Sequence, residues 1–215
     1  VAMKRRKLGN PLALAVMATL CQKPMHPYEI AQTLRRQGKD ISTKINYGSL
    51  YTVVQNLEKH GFVEVTEVER QGNRPERTIY GLTDAGRQEM TEWISDLMAV
   101  PVKEFPIFET ALSLMGVLHP DEVVRLLEER LKNLEVQAAS ARGALEKLYE
   151  TLPRLFLVEA EYQLHMVEAQ AQWVRGFLEE IEKGSLPGVD GWRRFHDTGE
   201  MPPEFQDWEA PDTET

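Results

Sequence analysis

Two heptad series constrain this chain more than any other feature. Val124, Leu127, Leu131, Leu134, Ala138, Ala141, Leu145 and Leu148 are spaced 3-4-3-4-3-4-3, and Ala160, Leu164, Val167, Ala171, Val174, Leu178 and Ile181 are spaced 4-3-4-3-4-3. Apolar residues at that period form one seam along a helix, and the seam must be covered by another helix. Only Thr151-Leu152-Pro153 and a few flanking residues separate the two series, so they predict an antiparallel helical hairpin of coiled-coil type. Small residues at Ala138, Ala141, Ala160 and Ala171 allow a close approach. A lone hairpin buries little surface, so further helices are expected on it. Leu127, Leu131, Leu134, Leu164, Val167, Val174 and Leu178 are therefore the candidate dimerisation positions. The plainer alternative is that they only close the hairpin on itself.

The first half has a different organisation. Asn10-Pro11 reads as a cap and first-turn proline for a helix through Leu20, and Pro27 opens a second helix over 28–37 that Gly38 closes. A third runs from about Tyr47 to His60, with Leu50, Val53, Val54 and Leu57 on one face and Gly61 at its end. The period then changes to two. Residues 62–68 and 77–82 read as strands joined by a polar loop that contains Arg70, Asn73 and Arg74. Thr83-Asp84 caps a fourth helix over about 85–98, followed by a linker over 100–106 and a helix over 107–118. The hairpin helices are expected over 120–152 and 154–183. Residues 184–215, rich in proline, glycine and acids, read as a tail without its own core, although Trp192, Phe195, Phe205 and Trp208 suit a segment that docks in part.

Charge separates the two halves. Residues 1–90 carry 14 basic against 9 acidic side chains, a net of +5, whereas residues 91–215 carry 11 against 25, a net of −14. The overall −9 would argue against a polyanionic partner, but phosphate attraction acts through the local field. Three helices and a basic two-stranded wing form a winged helix-turn-helix, whose exposed third helix fits the major groove of double-stranded DNA. Lys44, Asn46, Tyr47, Ser49, Tyr51, Thr52 and Gln55 supply donors and acceptors at the start and outer face of that helix. Asn73, Arg74 and Arg77 are placed to reach phosphates or the minor groove from the wing. The bland alternative is a solvated helix face and ordinary strand solubilisers.

Other functions find little support. A single cysteine, Cys21, excludes a disulfide framework and a cysteine zinc site. No Gly-rich phosphate loop, His-Glu-x-x-His or Cys/His cluster suggests catalysis, a metal or a cofactor, so the expectation is a non-enzyme without cofactors. No run approaches the ~18 apolar residues of a membrane span. The basic start, residues 1–8, lacks a cleavage pattern, and a cytoplasmic location is expected. Trp93, Phe105 and Phe108, with Tyr162, His165, Met166 and Trp173 beyond, are candidates to line a pocket for a planar effector; aromatics at helical spacing are more often plain core.

Three stretches carry a resemblance: Pro27-Tyr28-Glu29-Ile30; Tyr47-Gly48-Ser49-Leu50-Tyr51 with Leu57-Glu58-Lys59-His60-Gly61; and residues 74–86, Arg74-Pro75-Glu76-Arg77 through Thr83-Asp84-Ala85-Gly86. The sequence resembles the PadR transcriptional regulators, closely over about 10–90 and more loosely beyond. His26-Pro27 departs from the pattern, where many relatives carry a glycine before the tyrosine. The resemblance implies a homodimeric winged-helix repressor on a near-palindromic operator, released in some members by small aromatic or drug-like compounds. It assigns recognition to Asn46, Tyr47, Ser49, Tyr51 and Thr52, and the wing role to Asn73, Arg74 and Arg77.

The expected architecture is mainly α: a winged helix-turn-helix with a two-stranded wing over 1–99, a linker over 100–106, a coiled-coil-like all-helical dimerisation domain over 107–183, and a tail over 184–215. Expected partners are double-stranded DNA, a second copy and a small effector, with no membrane. The alternative is a winged-helix protein-interaction module that binds no specific DNA.

Overall fold

The computed structural model describes residues 6, 8–39, 47–69, 77–200 and 202, with the side chains of 47 and 69 excepted. The chain divides into two compact units, 1–104 and 105–215.

The first unit is built from α1 (Pro11–Leu20), α2 (Pro27–Arg36), α3 (Tyr47–Lys59), β1 (Val63–Glu69), β2 (Arg77–Leu82) and α4 (Asp84–Ala99). Each start has a physical cause. The Asn10 side chain accepts from Leu12 N and Pro11 fills the first turn. At α2, His26 Nδ1 accepts from Tyr28 N (3.1 Å) while Glu29 reaches back to His26 N (3.3 Å), a capping box. The His26-Pro27 departure therefore builds the start of α2. Gly61 ends α3 at φ +74°, the left-handed region that favours glycine.

Wing strands β1 and β2 pair antiparallel, with an irregularity between Val65 and Glu67. Met25 adds a bridge that sequence patterning missed: its N–H donates to Tyr80 O (2.9 Å), and Tyr80 N–H donates back (3.0 Å). One such pair between two turns leaves no period to read. The Thr83 hydroxyl caps α4 by accepting from Gly86 N (3.0 Å) and also donates to Gly61 O (2.7 Å). A Cβ on Gly86 would sit deep inside the Phe62 carbonyl oxygen, so this packing needs glycine. Leu12, Val16, Met17, Leu20, Ile30, Leu34, Leu50, Val54, Leu57, Val63 and Trp93 share one core.

The second unit contains α5 (Ile107–Ser113), α6 (Pro120–Tyr149), α7 (Val158–Glu182) and α8 (Val189–Thr198), with 3-10 turns over Met115–Val117 and Arg154–Phe156. Helix α5 stops short of the expected 118, and the 3-10 turn follows around Gly116. Helices α6 and α7 pack together as the heptads predict, and Val123, Leu127, Leu134, Ala171, Val174, Leu178 and Ile181 share a core. Polar pairs cross the hairpin: Arg142 with Glu168, Arg175 with Glu135 (2.6 Å) and Arg130 with Gln170 (3.3 Å). At the bend, Arg154 (2.9 Å) and the Tyr149 hydroxyl (2.6 Å) both donate to Glu161 and hold its carboxyl down at about 2.

The region read as a coreless tail holds a helix. Val189 and Trp192 of α8 complete the α6–α7 core, and Trp192 Nε1 donates to Leu118 O (2.9 Å). Gly188 and Gly199, both left-handed, bound α8, so the glycines that suggested disorder instead turn the chain at the helix ends.

Candidate nucleic-acid interface

Helix α3 divides sharply by burial. Leu50, Val53, Val54 and Leu57 lie in the core, while Tyr51, Thr52, Gln55 and Asn56 face outward. The inner set fixes the helix to the unit, and the outer set is turned to solvent. Tyr51 is 43 % exposed, and the Thr52 hydroxyl donates to Gly48 O (3.2 Å). Ser49, at the first turn, is half-buried.

Arg77 stands exposed at the start of β2. Its positive charge is felt at the His26 ring. Burial first, and the charge of Arg77 second, push the His26 imidazole below its ordinary range. The neutral ring keeps Nδ1 available for the α2 cap, and its edge meets Tyr51 with ring centroids 6.2 Å apart. The start of α2 and the face of α3 are thus brought together at His26, and Met25 next to it bridges to Tyr80 of β2. Tyr28, half exposed, lies on the same opening turn of α2. Sequence reasoning recorded His26 only as a departure; the His-x-x-Glu spacing was the available signal.

Of the expected contacts, Ser49, Tyr51, Thr52, Gln55 and Arg77 lie on described elements. Lys44, Asn46, Asn73 and Arg74 fall outside the described residues, as does the side chain of Tyr47.

The candidate effector residues have separate placements. Trp93 is buried in the first unit beneath the Arg6 guanidinium, 5.6 Å from the ring centroid. Arg6, whose side chain is 3 % exposed, pairs with Glu89 (2.5 Å) and with Asp96. Glu89, Trp93 and Asp96 fall at i, i+4 and i+7, one face of α4. In the second unit Phe105 is exposed, whereas Phe108 packs under Arg130, 3.6 Å from its centroid, and edge-on to Trp173.

The candidate dimerisation residues are largely consumed within one chain. Leu127, Leu134, Val174 and Leu178 are buried in the hairpin seam, and Leu131, Leu164 and Val167 are half-buried. Surface covered by the other arm of the same hairpin is not available to a second copy. Uncovered apolar side chains include Val158, Tyr162, Met166 and Trp173, at spacings of 4, 4 and 7 along α7, Leu155 and Phe156 at the bend, and Leu126 and Val136 on α6.

Among the described residues no cluster of His, Cys, Asp and Glu could hold a metal ion, and no helix is long and apolar enough to cross a membrane.

Residues 16–92, which span α2, α3 and the wing, match the model of the transcriptional regulator PadR-like family. The chain carries a PadR-like domain. The negative transcriptional regulator PadR of Bacillus subtilis is 22 % identical over 181 residues, 80 % of this chain and 98 % of that protein. Bacillus subtilis PadR solved with operator DNA superposes at a TM-score of 0.63 with 19 % identity, covering 79 % of this chain and 98 % of that one. Its complex with p-coumaric acid gives 0.64 and 19 %, covering 80 % and 98 %. At such identity the two superpositions establish a shared fold: a PadR-like winged helix followed by an all-helical region.

Proposed function

We propose that this chain is a DNA-binding transcriptional regulator: a homodimeric repressor on a near-palindromic operator, released by a small aromatic effector. The observation that carries the reading is the division of α3, with its apolar side locked in the core and Tyr51, Thr52 and Gln55 turned outward, while Arg77 stands exposed on the wing. A helix presented this way, on the half of the chain with net charge +5, suits the major groove, and the wing suits the flanking phosphates.

Three features support the finer parts. A relative whose name describes negative regulation supports repression. The exposed stripe Val158, Tyr162, Met166 and Trp173 supports a second copy, because apolar side chains at that spacing on one helix form a continuous strip. The same relative's complex with p-coumaric acid supports a planar aromatic effector. Such a ligand acts by changing the separation of two reading heads that must engage together.

The test is selection of bound duplexes from a genomic pool, followed by titration of the recovered site at several salt concentrations. A recovered inverted repeat bound with a steep salt dependence supports the reading. Binding without sequence preference favours a winged-helix module that engages other proteins.

A further inference from the structure

A cavity of about 390 Å3 opens in the second unit between the Met115–Val117 turn, the 186–188 segment and α8. Its walls are Met115, Leu186, Pro187, Val189, Trp192 and Phe195, with the backbone of Gly116 and Gly188. None of these residues is charged, and none contributes to the DNA-facing surface or to Trp93, Phe105 and Phe108.

Two polar side chains at the cavity are already engaged. Trp192 Nε1 donates to Leu118 O (2.9 Å), and His196 Nε2 is 2.9 Å from Gly116 O. A ligand therefore meets walls that are almost wholly aromatic and aliphatic. An anion would also enter the half of the chain that carries a net −14. Dissociated acids are disfavoured on both counts. A cavity of roughly 150 Å3 already holds one benzene ring, so this one has room for two fused or linked rings.

We propose that this cavity is a binding site for an uncharged, apolar one- or two-ring molecule, separate from any effector site that controls DNA binding. The occupant packs between Trp192 and Phe195 on one side and Met115 and Leu186 on the other. By bridging α8 to the turn that precedes α6, it tightens the docking of α8, which the Trp192–Leu118 and Arg193–Asp121 (3.0 Å) contacts already hold.

The test uses the full chain and naphthalene, an uncharged two-ring probe with fluorescence of its own. The chain contains four tryptophans, so 5-fluorotryptophan labelling gives four fluorine resonances that single Trp→Phe variants assign. The expected result is saturable binding of one probe per chain in the micromolar range, with the Trp192 resonance moving in step with occupancy. Leu186→Phe fills the cavity from its rim and weakens the probe at least tenfold. Absence of saturable binding, movement of the Trp173 resonance in place of Trp192, or unchanged affinity in Leu186→Phe overturns the proposal. If Leu186→Phe fails to fold, the Trp192 resonance of the unmodified chain still decides it.

Discussion

His26 does more than a sequence reading assigns to it. It caps α2, its ring edge meets Tyr51, and burial together with the Arg77 charge keeps it neutral. A histidine whose pKa is lowered by folding binds its proton more readily in the unfolded chain. Its contribution is therefore fully present above the unfolded value, about 6.5, and is lost as pH falls through the lower folded value. The expectation is that the thermal midpoint of the natural chain falls faster between pH 7 and pH 5 than that of His26→Asn, which keeps a capping oxygen and does not titrate. Parallel pH curves would remove the neutral-cap assignment. Arg77→Ala should weaken DNA binding and lower the salt slope by about one, the signature of one lost phosphate contact, with little effect on which sequence is preferred. An unchanged slope in fluorescence anisotropy would take Arg77 out of the interface. The outer face of α3 was legible in the sequence because Leu50, Val53, Val54 and Leu57 mark the inner one. The contact between His26 and Tyr51 was not, because it joins residues 25 apart that no period connects.

At the scale of elements, the two periods, 3.6 and 2, placed all six elements of the first unit to within a few residues, since caps and glycines stand where chain direction changes. The same glycine signal misled at α8, where Gly188 and Gly199 bound a helix whose Val189 and Trp192 are buried. Composition averages over such a segment and hides a ten-residue amphipathic stretch inside it. The junction of β1 with α4 depends on Gly86, packed on the Phe62 carbonyl. Gly86→Ala should destabilise the first unit by about 1–3 kcal/mol, the usual penalty of overpacking, although alanine is the better helix former. Urea unfolding measures this; a stabilised variant would mean that α4 can shift away from the strand at little cost. The heptads were read correctly as a hairpin, but a seam has one partner at a time. The arms of one chain cover Leu127, Leu134, Val174 and Leu178, whereas the outer stripe of α7 stays exposed.

At the scale of the whole molecule, a first half of net charge +5 is joined to a helical half of net charge −14, and the proposed function gives DNA reading to the first and pairing of two copies to the second. The stripe Val158, Tyr162, Met166 and Trp173 should lie in the dimer contact. Tyr162→Glu combined with Met166→Glu should shift the chain to monomer in analytical ultracentrifugation and lower operator affinity by well over tenfold, because two linked heads gain affinity only together. A double variant that remains dimeric would place the contact elsewhere. Neither the stripe nor the covered seam could be separated by sequence alone, since both follow a helical period and only packing distinguishes them. The most direct test of the central claim is the stoichiometry and footprint of the complex on the selected DNA. Two chains on an inverted repeat, with half-site centres one helical turn or about 34 Å apart, is the predicted result. One chain on a single half-site, or binding indifferent to sequence, would contradict it.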